Sequence, residues 1–322
     1  MLKKILLIVV SLLLLASCSD NRSDMNHKKA IINIATLKGP TGLGMLKLMD
    51  ENDNHKRYNI DVYTDPTLVI NAFLNQEIDI ATIPTNMASI LYNKASGNIN
   101  MLALSAFSNL YVLTDLYNVN NISDLEGKTI YAAGQGSIPQ YALEYILSKN
   151  GIDCYGNTKI EYKREHTQLA SLAVMSDIHI VMLPEPFVSE VIKKNPNMKI
   201  AINVNEEWNK AVNGESLLSM GCVVARKDFL ENSKEQVNLF LDEYKKSIDY
   251  VNANIQAASE LSEKYGIMES FIALKAIPNC NIAYVDGEDM KIKTDNFFKV
   301  LSSFDSKSIG GSIPNEDFYY KR

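Results

Sequence analysis

The sequence predicts an α/β protein in which parallel sheets carry helices on both faces. Short β-branched runs alternate with segments whose apolar residues recur every three or four positions. The run 31–36 leads through a glycine–proline turn into a helical pattern, and such a strand–loop–helix junction recurs twice further along. The chain has 322 residues, which is enough for two domains of ordinary size.

The first junction consists of Lys38, Gly39, Pro40 and Thr41, between the first strand and the first helix. The backbone N–H groups at the start of such a helix are free, and the helix dipole favours an anion or a polar ligand group there. A plain turn between a strand and a helix has the same local pattern. This junction alone therefore leaves a ligand loop and an ordinary turn both open.

Two further junctions repeat the arrangement. Thr85 and Asn86 follow a short apolar strand, and Gln135, Gly136 and Ser137 follow another. The glycines of the last junction would let the backbone approach a ligand closely. Because ligands of such folds bind at the carboxyl ends of the strands, the recurrence favours a ligand site over three unrelated turns.

The N-terminus has the pattern of a lipoprotein signal peptide. Lys3 and Lys4 precede an apolar run at 5–16 that is too short to span a bilayer comfortably, and the run ends in Ala16, Ser17 and Cys18. A plain secretory peptide with a chance cysteine is the alternative. We expect residues 1–17 to be the signal peptide, Cys18 to carry palmitate-type acyl chains as the membrane anchor, and residues 18–29 to be a flexible tether.

Composition narrows the classes of partner and cofactor. The net charge is −6, and loss of the two signal-peptide lysines makes the chain more acidic, so nucleic acid is not an expected partner. Cys154, Cys222 and Cys280 lack metal-ligand spacing. We therefore expect three buried thiols, no metal and no cofactor, with any pairing of these cysteines left open.

Four motifs in order resemble one known family. They are KGPTG at 38–42, EIDIA at 77–81, ISDLEGK at 122–128 with GQGS at 134–137, and LPEPF at 183–187. Together they resemble the substrate-binding proteins of ABC transporters of the nitrate/sulfonate/taurine type, a group that includes binders of thiamine-pyrimidine precursors. His179 stands where the pattern has an aspartate, and its strand context favours a structural histidine over a ligand.

The resemblance implies a two-lobed periplasmic-binding-protein fold of type II, with the ligand cleft between the lobes. Two hinge crossings are expected, near 113–117 and 219–223. Lobe one would then comprise 30–114 and 220–322, and lobe two would comprise 115–219. The lobes of such proteins close over the ligand.

The predicted cleft combines the three junctions with the acid of the LPEPF motif. Its expected lining is Lys38, Gly39, Pro40, Thr41, Thr85, Asn86, Gln135, Gly136, Ser137 and Glu185. Lys38 and Glu185 are expected at the rim, and for Glu185 a ligand contact and a carboxylate that only anchors its loop are both open. The helix N-termini favour an anionic solute, and a neutral heteroaromatic solute remains the alternative.

The expected function is that of a lipid-anchored, extracytoplasmic monomer that delivers a small solute to an ABC permease and its ATPase. An enzyme on the same fold, of the pyrimidine-synthase or menaquinone-dehydratase type, is one alternative, and a surface sensor is another. The export signal and the absence of the synthase's cysteine-rich run argue against the enzymes. No Ser–His–Asp arrangement is visible in the sequence, so no catalytic residue is expected.

Overall fold

The computed structural model describes residues 31–322. The predicted signal peptide, Cys18 and the tether lie outside the described residues. Over the described range, no helix is long and apolar enough to span a bilayer.

The strands form two sheets. In chain order they are β1 (Ile32–Leu37), β2 (Tyr58–Tyr63), β3 (Ile80–Pro84), β4 (Ile99–Phe107), β5 (Leu110–Thr114), β6 (Thr129–Ala133), β7 (Lys159–Lys163), β8 (Ile180–Pro184), β9 (Lys199–Asn203), β10 (Ser219–Arg226) and β11 (Ile282–Val285). The sheet of lobe one has the order β11-β4-β10-β3-β1-β2, and the sheet of lobe two has the order β7-β6-β8-β5-β9.

Helices alternate with these strands, as the sequence predicts. They are α1 (Pro40–Leu43), α2 (Leu46–His55), α3 (Pro66–Leu74), α4 (Thr85–Lys94), α5 (Ile138–Lys149), α6 (His166–Val174), α7 (Phe187–Lys194), α8 (Val204–Ala211), α9 (Lys227–Asn232), α10 (Lys234–Ala253), α11 (Ile255–Lys264), α12 (Ser270–Ala276) and α13 (Gly287–Phe304). Each of α3, α4, α5, α6 and α7 directly follows a strand, which gives the α/β pattern.

Both sheets are mixed rather than purely parallel. β1 pairs in parallel with β2 and β3, and β6 pairs in parallel with β7 and β8. One antiparallel strand then joins each set: β10 beside β3, and β5 beside β8. β10 lies between β3 and β4, although more than a hundred residues of chain separate it from either strand.

The carboxyl edges of the two sheets face each other. Ser108 and Asn109 alone connect β4 to β5, so the end of β4 meets the start of β5. Leu110 lies opposite Pro184 at the carboxyl end of β8, and Ser219 lies opposite Phe107. Both crossings therefore join the sheets at the edge where ligands bind in α/β proteins.

The position predicted for the first crossing is wrong. All residues of Leu110–Thr114 pair with β8, and most also pair with β9, so β5 belongs to lobe two. The chain leaves lobe one at Ser108, where the amide donates to the carbonyl of Leu218 on the return crossing, 2.9 Å away. The division into separately folding lobes otherwise stays a prediction.

An aromatic cluster joins the lobes on one flank. Trp208 of α8 is fully buried, and its ring centroid lies 5.2 Å from that of Tyr145 and 5.8 Å from that of Phe297. Tyr145 also meets Phe304 edge to face at 5.8 Å. Since α13 belongs to lobe one and α5 and α8 belong to lobe two, these rings form an apolar contact between lobes.

Candidate functional site

Four strand–helix junctions meet at the joined edges. β1 and β3 end there in lobe one, and β6 and β8 end there in lobe two. The sequence-predicted residues therefore come to the same region of the fold. Their side chains differ in how far they are available to a ligand.

The first junction remains accessible. Lys38 is exposed, and Gly39, Pro40 and Thr41 are half-buried. Gly39 has φ +94°, a region that favours glycine. The methyl carbon of Thr41 lies 2.8 Å from the position a Cβ would take on Gly221, so this loop packs directly on β10. The ammonium group of Lys38 and the hydroxyl of Thr41 thus lie at the edge of lobe one.

Thr85 and Asn86 act inside lobe one. Both are fully buried. The hydroxyl of Thr85 shares a hydrogen bond of 2.8 Å with that of Ser219, and Nδ2 of Asn86 donates to the carbonyl of Ser308 at 3.2 Å. In this structure the two side chains fasten β10 and the C-terminal segment, and they do not line a cleft as expected.

The glycine loop of lobe two is the most open junction. Gly134 and Gly136 have φ +81° and +76°, and Gln135 and Gly136 are exposed. The amide and the hydroxyl of Ser137 both donate to the carbonyl of Gly134, at 3.1 and 2.5 Å. Because its hydroxyl closes the loop, Ser137 does not cap α5 with its side chain.

A chain of side-chain hydrogen bonds that ends at the buried Glu144 holds the same loop. The amide of Gly136 donates to Oε1 of Gln140 at 2.7 Å, and Nε2 of Gln140 donates to Glu144 at 2.9 Å. The hydroxyl of Tyr162 also donates to Glu144, and burial together with this carboxylate raises the pKa of Tyr162. These hydrogen bonds were not predicted from the sequence, in which the local signal is the i, i+4 spacing of Gln140 and Glu144 on α5.

Glu185 is buried, not exposed at a rim. It is 2% exposed, and its carboxylate accepts hydrogen bonds from the amide and hydroxyl of Ser189, at 3.1 and 3.0 Å. Its own amide donates to the carbonyl of Asn109. Burial raises the pKa of Glu185, while the hydrogen bonds from Ser189 and Asn279 oppose that rise. The carboxylate thus anchors its loop and the first turn of α7.

An aromatic pair at the edge of lobe two was not predicted. His166 begins α6 and Phe187 begins α7, and their rings stack with centroids 5.5 Å apart and planes 14° apart. Burial lowers the pKa of His166, which favours the neutral imidazole. The sequence could have indicated this pair through position alone, because each residue is the first of a helix that follows a strand.

His179 lies at the opposite end of β8, away from the cleft. Its Nδ1 is 2.9 Å from Oδ1 of Asp115, in line with a structural histidine. Cys222 and Cys280 are buried and Cys154 is partly buried, and all three thiols are free. Within residues 31–322, no group of three His, Cys, Asp or Glu side chains could hold a metal ion.

No family model and no curated protein sequence matches the chain. Several solved structures, in contrast, are similar to the chain. An ABC transporter protein from Parabacteroides distasonis has a TM-score of 0.76 at 21% identity and covers 91% of this chain and 99% of its own. The periplasmic aliphatic sulphonate binding protein SsuA from Escherichia coli has a TM-score of 0.71 at 10% identity, covering 90% and 92%.

A third similar structure is the CA3427 gene product of Candida albicans, described as having the generic periplasmic binding protein fold. Its TM-score is 0.56 at 16% identity, covering 86% of this chain and 92% of its own. At such identities the similarity establishes the fold. The chain has the two-lobed periplasmic-binding-protein fold, and its structural neighbours include ABC-transporter substrate-binding proteins, as the sequence motifs predicted.

Proposed function

We propose that this protein is an extracytoplasmic solute-binding protein, anchored to the membrane by a lipid on Cys18, that delivers a small solute to an ABC permease and its ATPase. The observation that carries the proposal is the meeting of two carboxyl sheet edges at two short crossings. A solute held there contacts both lobes, so binding energy can favour their closed arrangement. The transport-associated neighbours support the same role.

The proposed solute contacts come from two loops and one aromatic pair. They are Lys38, Gly39, Pro40 and Thr41 of lobe one, and Gln135, Gly136, Ser137, His166 and Phe187 of lobe two. Thr85 and Asn86 fasten β10 and the C-terminal segment from inside the protein, and Glu185 holds the first turn of α7, which begins at Phe187. The solute class is a small anion such as a sulfonate or carboxylate, or a heteroaromatic ring.

Two features bear on the choice between these solutes. Glu185 already places a carboxylate at the N-terminus of α7, so an anion would avoid that helix and approach Lys38. The stacked rings of His166 and Phe187 instead suit a planar heteroaromatic. The sulphonate-binding neighbour keeps sulfonates among the first compounds to test.

A thermal-shift screen with sulfonates, carboxylates and aminopyrimidines tests the function. We expect at least one class to raise the melting temperature, since a ligand that binds only the folded state stabilises it. With the hit, Lys38→Gln should weaken binding of an anion about five- to tenfold by titration calorimetry, corresponding to roughly 1–1.4 kcal/mol. Phe187→Ala should weaken binding of a ring instead.

The matched control for Lys38→Gln is Lys94→Gln, an exposed lysine at the far end of α4. Equal loss in both variants would show a general charge effect and not a site. Conversion of the hit during incubation, followed by NMR, would contradict a pure carrier and favour the enzyme alternative.

The lipid anchor needs a separate test. Cys18→Ala should move the protein from the membrane to the soluble exported fraction, because the acylated cysteine is proposed as its sole attachment. Fractionation with a high-salt wash measures this. A variant that stays membrane-bound after the wash would contradict the anchor without touching the solute proposal.

A further inference from the structure

In addition to the proposed solute cleft, a cavity opens between α7 of lobe two and α12 of lobe one. We call it the lateral groove. Its apolar walls are Val188, Ile192 and Ile200 from lobe two and Phe271 and Ile272 from lobe one. The volume is about 320 Å³, at the lower end of the range of small-molecule sites.

The lateral groove is separate from the proposed solute cleft. None of the residues at 38–41, 134–137 or 166 lines it, and Glu185 is the only predicted site residue on its wall. The carboxylate of Glu185 already accepts hydrogen bonds from the amide and the hydroxyl of Ser189. The groove therefore does not draw on the two loops that would hold the solute.

Two of its apolar side chains are accessible to solvent. Phe271 is 51% exposed and Ile200 is 49% exposed, and they stand on opposite lobes. Exposed apolar surface concentrated in a concave site indicates binding more than scattered surface residues do. Any occupant would cover apolar surface of both lobes at once.

Two ammonium groups complete the groove. The Nζ of Lys193 lies 3.9 Å from the centre of the Phe271 ring, and Lys275 lies on the same helix as Phe271. In the described part of the chain, neither ammonium lies within 4.0 Å of a carboxylate oxygen. Glu190, the other acid of the lining, is paired with Lys194 at 2.5 Å.

We propose that the lateral groove binds an amphipathic anion: an alkyl or aryl chain with a carboxylate or sulfonate head. The apolar walls would cover the chain, while Lys193 and Lys275 would hold the head group by charge-assisted contacts. Because its walls belong to both lobes, an occupant would favour one relative position of the lobes and so couple to the cleft. The site does not depend on which solute the cleft takes.

Titration calorimetry of the full exported chain with octanoate and octanesulfonate tests the proposal. We expect saturable binding at one site. The double variant Lys193→Gln/Lys275→Gln should bind about tenfold more weakly, because it loses both charge-assisted contacts. The control is Lys94→Gln: this exposed lysine does not line the groove and has no carboxylate oxygen within 4.0 Å in the described part of the chain, so the variant should bind as the parent does.

The apolar walls have their own tests. Phe271→Ala should weaken octanoate binding, and because the ring is half exposed this variant should keep its melting temperature. Lengthening the anion from butanoate to hexanoate to octanoate should improve affinity by up to about fourfold per methylene, the value for full burial. Octylammonium, which has the same chain and the opposite charge, should bind much more weakly.

Three results would overturn the proposal. One is the absence of saturable octanoate binding, and another is octylammonium binding as tightly as octanoate. The third is a loss of octanoate binding on Lys38→Gln with no change in the Lys193→Gln/Lys275→Gln variant. That result would place the anion in the cleft, and it would leave the proposed solute-binding function standing.

Discussion

The two lobes repeat the same strand arrangement, with the acidic and the basic residue of one pair exchanged between the strands. In lobe one Asp79 stands one residue before β3 and binds Arg226 at the end of β10, 3.0 Å away. In lobe two His179 stands one residue before β8 and binds Asp115 just after β5, 2.9 Å away. The registers match, since Ile80 pairs with Ala225 and Ile180 with Thr114.

This comparison shows what the aspartate of the EIDIA motif does. It ties the start of a buried strand to its antiparallel neighbour, and a histidine with an acidic partner can do the same. The tie lies at the amino end of the strands, opposite the cleft. A departure from the motif at 179 therefore says nothing about the ligand.

The repeated pair differs in burial, and this gives the largest expected effect. The side chains of Asp79 and Arg226 are 12% and 14% exposed, and Asp79 also accepts from the amide of Asn33, whereas His179 is 35% exposed. Asp79→Ala should cost roughly 3 kcal/mol because it removes the buried carboxylate that binds the guanidinium of Arg226 and the amide of Asn33, and leaves only the more exposed Asp228, 3.6 Å away, as an acidic partner of Arg226. His179→Ala should cost about 1 kcal/mol. Urea unfolding of both variants measures the difference, and equal losses would contradict the ranking.

The glycine loops of the two lobes should respond differently to alanine. A Cβ on Gly42 would lie 2.4 Å from the carbonyl oxygen of Leu37, so Gly42→Ala should cost about 2–3 kcal/mol through a steric clash. Gly136 has open space around it but φ +76°, so Gly136→Ala should cost only about 1 kcal/mol of backbone strain. Thermal unfolding checks both values. A larger loss of stability at Gly136 would contradict the open space found around its Cβ position.

Buried and exposed amides of the two lobes make a third contrast. Asn86→Ala removes a buried hydrogen bond to Ser308 and should lower stability by roughly 1–2 kcal/mol. Gln135→Ala, on the open loop, should change stability by less than about 0.5 kcal/mol and weaken solute binding instead. Denaturation and calorimetry on both variants separate a supporting residue from a contact residue. Weakened binding in Asn86→Ala at unchanged stability would reverse the assignment.

The smallest expected effect is a pH trend confined to lobe two. At equivalent junctions, no side chain caps α4, while in the first turn of α7 the amide of Ser189 donates to the carboxylate of Glu185. Because the folded-state pKa of Glu185 is raised, the folded protein holds its proton longer than the unfolded chain does. Its stabilising contribution is complete below the unfolded pKa and declines as pH rises through the folded pKa.

Glu185→Gln should remove this decline, since an amide does not titrate. Melting temperatures between pH 4 and pH 7 for parent and variant test this. Parallel curves for the two proteins would show that Glu185 does not titrate differently in the folded state.

The sequence could predict the frame because the strand and helix periods and the junction residues are local. It could not assign β5 to a lobe. The residues Leu110–Thr114 have the pattern of a strand, but this pattern does not indicate which strands they pair with. It also could not foresee that Thr85 and Asn86 would be buried. Their partners, Ser219 and Ser308, lie 134 and 222 residues further along the chain.

Glu185 shows a different limit. The sequence left a ligand contact and a loop-anchoring carboxylate open, and the choice depended on whether the carboxylate turns inward to Ser189. Ser189 is only four residues further along the chain, but the sequence does not show that Glu185 is buried against it. Only tertiary packing distinguishes a polar side chain that supports a site from one that contacts a ligand.

The position of β10 has a consequence for the order of folding. Lobe two takes its strands from one continuous stretch, so its sheet is complete once β9 is free to fold. Lobe one needs β10, which fills the gap between β3 and β4 and follows β4 by more than a hundred residues. Until β10 arrives, β3 and β4 keep unpaired edges. Open edges invite pairing with other chains, so lobe one is the more exposed to aggregation while the protein folds.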